Sequence, residues 1–170
     1  SFLSVFFIYA YEKIFGLVSD VTLLELSSTN TKLLKELNEK APGTFQHSMQ
    51  VANLAEAAAS EIGANSMLVR TGALYHDIGK ILNPMYFIEN QSTGVNPHND
   101  LSPTDSAKII IDHVIKGIEL AKQNRLPDRI IDFIRTHHGT SLVYYFYVKE
   151  KEKSPEEEVA IEKFQYRGPI

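Results

Sequence analysis

Six histidines, and the aspartate that follows one of them, are the residues in this sequence best suited to chemistry: His47, His76 with Asp77, His98, His113, and the adjacent His137 and His138. Imidazole nitrogen with carboxylate oxygen suits iron, manganese or zinc. The chain has no cysteine, so any metal must be held by nitrogen and oxygen, and disulfides and thiol nucleophiles are excluded. Taken singly, most of these residues have an ordinary reading. His47 falls on a helical stretch where a lone histidine is structural or exposed. His113 follows Asp112 in an apolar run. His137 and His138 sit in the last turn of a helical stretch, where protonated imidazole suits the negative end of the dipole. Asp77 is different: an acid at a helix C-terminus opposes that dipole, which is a reason for something else, such as a cation, to hold it. Adjacent residues on a helix point about 100° apart, so a neighbouring pair reaches one ion only at a helix end or in a cleft. Ligands converging from several helices build dimetal sites. One carboxylate can bridge two ions about 3.5–4 Å apart, which clamps both oxygens of a phosphoryl displacement.

Helices must position these groups. Leu33, Leu34 and Leu37 predict a short helix that stops at the breaker Ala41-Pro42-Gly43. Thr44 to Ile62 carries Met49, Val51, Ala52, Leu54, Ala55 and Ala58 at helical spacing, with Gly63 as a stop. Asn65 or Ser66 caps a helix predicted to run through Met67, Leu68, Ala73 and Leu74 to Gly79. Ser102-Pro103-Thr104-Asp105 reads as a cap with proline at the first helical position, opening a helix through Ile109, Ile110, Val114, Ile115, Ile118 and Leu120. Pro127 opens another through Ile130, Ile131, Phe133 and Ile134 to Gly139, and Leu142 to Lys151 reads as one more. Lys149 to Glu158 is expected to be a solvated helix end and loop, and Gln165 to Ile170 extended chain or turn. Leu82 to Leu101 lacks a clear period, and long loops of this kind are often lids or binding loops.

The composition, 44% hydrophobic and 22% charged over 170 residues, is that of one globular domain with one sizeable core. A net charge of −4 provides no basic footprint for a duplex, which argues against double-stranded nucleic acid as the main ligand. Residues 1–11 carry no charge. They are fewer than the roughly 20 apolar residues a membrane-spanning helix needs, and they lack the basic start and cleavage site of a secretory signal. Two readings stand side by side: a buried amphipathic helix, or the inner end of a transmembrane helix with Glu12 and Lys13 at the water boundary and Tyr9 and Tyr11 as interfacial aromatics.

The order His47, His76-Asp77-Ile78-Gly79-Lys80, His113, His137-His138 resembles the HD superfamily of metal-dependent phosphohydrolases. The strings around His47 (Glu39 to Ser48), Phe87-Ile88-Glu89-Asn90-Gln91, Asn96-Pro97-His98 and His137 to Val143 further resemble the bacterial seven-transmembrane HD proteins, whose cytoplasmic HD domain hydrolyses cyclic di-AMP. The resemblance implies an all-α HD helical bundle with an N-terminal membrane-proximal helical connector. Residues 1–18 would be the end of a transmembrane helix with its juxtamembrane segment, 19–40 the connector, and 41–170 the HD domain, truncated at its C-terminus. It implies two divalent transition-metal ions, iron or manganese, one on His47, His76 and Asp77, the other on His113, His137 and His138 with Asp77 bridging. A further aspartate of the first site is expected beyond Ile170. A hydroxide held between the ions would open cyclic di-AMP to linear pApA. Lys80 resembles the lysine that faces the phosphate, and Asn90, Asn96 and His98 are candidate substrate contacts, with a surface histidine the alternative for His98. The protein would sit in the cell membrane with this domain on the cytoplasmic side, an arrangement compatible with a homo-oligomer. Two alternatives remain. One is another HD nucleotide phosphohydrolase, although hydrolases of cyclic di-GMP carry Gly-Tyr-Pro where this chain has Gly139-Thr140-Ser141. The other is a metal-bearing nucleotide sensor that does not cleave.

Overall fold

The computed structural model describes residues 2–91, 94–156 and 158–169 and is all-helical among them, apart from one isolated antiparallel bridge between Leu142 and Gln165. The helices are α1 (Phe2–Phe15), α2 (Asp20–Ser27), α3 (Lys32–Lys40), α4 (Pro42–Glu61), α5 (Ser66–Tyr75), α6 (Pro103–Gln123), α7 (Asp128–Thr136) and α8 (Tyr144–Lys153).

Three helix starts, those of α2, α5 and α6, follow from side-chain caps, with Ser19 accepting from Thr22 N at 3.2 Å at the first. The Asn65 side chain accepts from Leu68 N at 2.9 Å to open α5. Ser102 accepts from Asp105 N at 3.0 Å to open α6, with Pro103 at the first position. Several boundaries differ from the sequence reading: α7 ends at Thr136 and not at Gly139, α8 runs from Tyr144 to Lys153 and not from Leu142 to Lys151, and two others are instructive. Helix α3 stops at the expected breaker, but α4 begins at Pro42 and not at Thr44: the missing proline N–H costs nothing at a first helical position, and Ala41 ends α3 and begins α4. Helix α5 stops at Tyr75 and does not continue to Gly79. Asp77 leaves helical geometry (φ −109°, ψ 13°), and a tight 3₁₀ turn, Ile78–Leu82, follows. That turn presses on α6: a Cβ on Gly79 would lie 1.8 Å from the His113 carbonyl oxygen, and Gly117 faces it from the next turn. The backbones carrying Asp77 and His113 are thereby held at contact distance.

Helix α5 is the hub, with Thr71, Gly72, Ala73, Leu74 and Tyr75 all buried. Against it pack α2 with Leu23, α4 with Ala52, and α7 with Ile130, Ile131 and Ile134, while α3 adds Leu33, Leu34 and Leu37 to the same core by packing on α4 and the Ile78–Leu82 turn. The segment expected as a connector therefore contributes to the same core, and the Tyr75 hydroxyl reaches back to donate to the Leu26 carbonyl at 2.9 Å. A smaller cluster of Ala107, Phe146 and Phe164 ties α6, α8 and the C-terminal tail together.

Among the described residues, the stretch from Leu82 to Leu101 carries three short 3₁₀ turns, Pro84–Tyr86, Ile88–Asn90 and Pro97–Asp100. Their three-residue period explains the lack of a helical pattern. The tail is extended as expected but not free. Val143 N donates to Phe164 O at 2.8 Å, Tyr166 N to Ser141 O at 3.0 Å and Gly168 N to Gly139 O at 2.9 Å, so it pairs with the chain just after the histidine pair. Ile170 lies outside the described residues.

Among the described side chains of α1 none is buried, and Phe6, Phe7, Tyr11, Ile14 and Phe15 are exposed. The side chains of Tyr9 and Lys13 lie outside the described residues. Among the described residues no helix is long and apolar enough to cross a membrane.

Candidate metal centre

Three histidines on three elements are oriented by the same local device. Nδ1–H of His76 donates to Ala73 O at 2.6 Å, that of His137 to Ile134 O at 2.9 Å, and that of His113 to Ile110 O. In each case the acceptor is the carbonyl three residues earlier. A neutral imidazole that donates from Nδ1 keeps its lone pair on Nε2, and such backbone bonds fix both tautomer and ring direction in metal-ligating histidines. The three Nε2 atoms meet at Asp77. His113 and His137 approach its Oδ1 at 3.2 and 3.5 Å, and His76 its Oδ2 at 3.1 Å. His113 Nε2 and His137 Nε2 are only 3.3 Å apart.

Lone pairs directed at one another and at a carboxylate repel unless a proton or a cation lies between them. Asp77 is 2% exposed, and its Oδ1 is a buried acceptor without a hydrogen-bond partner. An ionised carboxylate in that position is costly unless paired or coordinated. Burial pushes the Asp77 pKa up, but the contacts from His113, His137 and His76 outweigh it and hold the carboxyl well below its usual range. Burial, with His137 and His113 beside it, pushes His138 down to about 3, so it is the neutral imidazole that a ligand must be. These observations fit a divalent cation.

The donor atoms fall into two groups, each within 4.8 Å: Asp77, His113, His137 and His138 in one, His47, His76 and Asp77 in the other. All six residues expected to ligate metal are thus brought together, with Asp77 common to both groups. His47, on α4, is exposed, its ring 5.7 Å from that of His76.

Lys80 lies beside the cluster and is not on the open surface. Its Nζ is 2.9 Å from Asp77 Oδ2 and 2.8 Å from Glu89 Oε1. Burial alone would lower its pKa, but the two carboxylates raise it above the ordinary value. The other expected substrate contacts are engaged within the protein. Asn90 accepts from Thr44 N at 3.0 Å and spends its amide protons on Thr44 Oγ1 and Pro84 O. Asn96 accepts from His98 N at 3.0 Å, capping a 3₁₀ turn. His98 is a buried residue, contrary to the surface alternative. Its Nε2–H donates to Tyr86 O at 2.9 Å, and its ring packs against Tyr86 and Phe146.

Tyr166 escaped the sequence reading. Its ring stacks on His138 with centroids 4.1 Å apart and planes 16° from parallel. Beside this pair opens a cleft of about 490 Å³, bordered by Lys108, Asp112, Arg135, Glu162 and Arg167.

A helical bundle that directs paired histidines and an aspartate from four helices and a turn at one buried point is the architecture of a known class. Residues 44–162 match the HD domain model, and the chain belongs to the HD domain family, which implies divalent-metal binding. Among particular proteins, the chain is 53% identical over 159 residues to the cyclic-di-AMP phosphodiesterase PgpH of Listeria monocytogenes and 46% identical over 159 residues to that of Bacillus subtilis. The match covers 94% of this chain and 22% of the length of each of those proteins. The crystal structure of the L. monocytogenes phosphodiesterase PgpH HD domain in complex with cyclic-di-AMP superposes with a TM-score of 0.79 at 54% identity, covering 84% of this chain and 65% of that one.

Proposed function

We propose that this chain is the catalytic domain of a membrane-bound phosphodiesterase that opens cyclic di-AMP to linear pApA. The observation that carries the reading is the convergence of the His113 and His137 Nε2 atoms on the buried, unpartnered Asp77 Oδ1, with His76 on Oδ2 and each of these three rings locked through Nδ1. His47, His76 and Asp77 would hold one ion and His113, His137, His138 and Asp77 the other. Imidazole nitrogen with one carboxylate suits iron, manganese or zinc, and of these iron or manganese is proposed on the resemblance to the HD phosphohydrolases. Such ions supply Lewis acidity toward phosphate and an activated water. The chain's own residues do the rest. Asp77 holds the two halves in register, the backbone carbonyls keep the imidazoles aimed, and the Lys80 ammonium offsets charge developing on the phosphoryl oxygens.

The substrate assignment draws on the two phosphodiesterases and the cyclic-di-AMP complex described above. Residues 1–18 are proposed as the cytoplasmic end of a membrane helix, consistent with the exposed Phe6, Phe7, Tyr11, Ile14 and Phe15, with 19–40 joining it to the HD domain at 41–170. The test is turnover by metal-loaded full-length protein offered cyclic di-AMP, cyclic di-GMP and linear pApA. Selective conversion of cyclic di-AMP to pApA is expected. Tight binding without product would establish a sensor instead.

A further inference from the structure

Lys80 is held from three sides. Besides Asp77 and Glu89, its Nζ lies 4.8 Å from the centroid of Phe87, a favourable cation–π distance. Glu89 is itself held: its Oε1 accepts from Thr44 Oγ1 at 3.0 Å as well as from Lys80. Thr44 stands in the first turn of α4, one helical turn before His47. Asn90 secures that turn by accepting from Thr44 N and donating to Thr44 Oγ1 at 2.8 Å. Gly43 permits the approach, since a Cβ there would sit 1.8 Å from the Glu89 carbonyl oxygen. The 83–91 segment is thus pressed onto the start of α4, and one carboxylate joins it to Lys80.

A lysine whose only anchor was Asp77 would compete with cations for Oδ2. Once cations were bound it would be repelled, and its flexible four-carbon stem would let it swing away. A second, independent carboxylate removes that conflict. We infer that Glu89 is the positioning residue for Lys80: it retains the ammonium at the edge of the Asp77 cluster when Oδ2 is given over to metal, so that Lys80 meets the phosphate of the substrate. Thr44 and Asn90 in turn fix Glu89. This inference rests on the phosphodiesterase reading.

The test is a double-mutant cycle of Glu89→Gln and Lys80→Met in metal-loaded full-length protein. It measures kcat and KM for cyclic di-AMP, metal content, and calorimetric affinity for a non-hydrolysable phosphorothioate analogue of cyclic di-AMP. Glu89→Gln is expected to lower kcat about 10-fold with metal content retained and to weaken the analogue. In the Lys80→Met background it should change neither, because its effect passes through the absent lysine. Thr44→Val should give a smaller loss of the same kind, and Thr44→Ser should restore it. Losses that add in the double variant, loss of metal in Glu89→Gln, or an unaltered kcat in that variant would each overturn the inference. A wild-type protein that binds the analogue but yields no product would defeat the phosphodiesterase reading instead, and the analogue affinities would still report whether Glu89 acts through Lys80.

Discussion

On the α6–α7 side of Asp77, four candidate ligands gather: His113, His137 and His138 with the shared carboxylate. Two of the rings are held by backbone carbonyls, and the third lies flat against Tyr166. On the α4 side there are three, and one of them, His47, is exposed. Among the described residues its ring makes no hydrogen bond, whereas the rings across the cluster are fixed before any ion arrives. Ordering a ligand on binding costs entropy that an already ordered ligand does not. The two halves share a residue but not a degree of preorganisation, and ions in them should differ in how firmly they are kept.

The largest effect should come from removing what the halves share. Asp77→Ala is expected to cost both ions and to lower hydrolysis by at least about 10³-fold, the scale of several kcal/mol of lost charge stabilisation. Metal analysis alongside turnover checks this, and retention of both ions would break the shared-ligand picture. Next, Lys80→Ala should slow hydrolysis on the order of 10²-fold while leaving both halves loaded. A parallel fall in metal content would mean that the lysine serves the cluster's structure and not the phosphate. The comparison itself is sharpened by His47→Ala, which should weaken one ion by at least about 10-fold and leave the other in place. Mild chelation of the unmodified protein should likewise strip one ion well ahead of the second, and simultaneous loss would show the halves to be equivalent. The smallest effect is expected at Tyr166. Tyr166→Leu removes the stacked ring and should weaken the α6–α7 ion by about 10-fold. Tyr166→Phe should not, since the stack and not the hydroxyl is what His138 uses.

That these residues gather around Asp77 was legible because the order His47, His76-Asp77, His113, His137-His138 resembles the HD superfamily, and because the helical spacing of the apolar residues marks the elements that carry them. Tyr166 was not legible: the pairing that brings residues 164–168 onto 139–143 is non-local, and a tyrosine in a short tail has no pattern to betray its partner. Asn90, Asn96 and His98 have a structural role that was not legible for a related reason. Polar residues in an aperiodic stretch resemble ligand contacts, but a run of 3₁₀ turns needs its own caps and acceptors, and these side chains supply them. The early end of α5 was hidden because Gly79 looked like a helix stop, whereas its lack of a side chain serves a contact with α6 that sequence alone does not display.

That contact between Gly79 and α6 bears on how the sequence could have drifted. Any other residue at 79 would drive its Cβ into the His113 carbonyl, and Gly117, tight against Ile134 and facing Gly79, leaves little slack for compensation. A replacement at Gly79 would have to relocate the helix that bears a ligand, whereas one at Gly117 meets first the Ile134 side chain, at 2.9 Å, and then the Gly79 backbone at 3.3 Å. The separation of Asp77 and His113 is therefore set by backbone against backbone: a side chain at 79 would displace the helix that bears His113 before it altered any ligand.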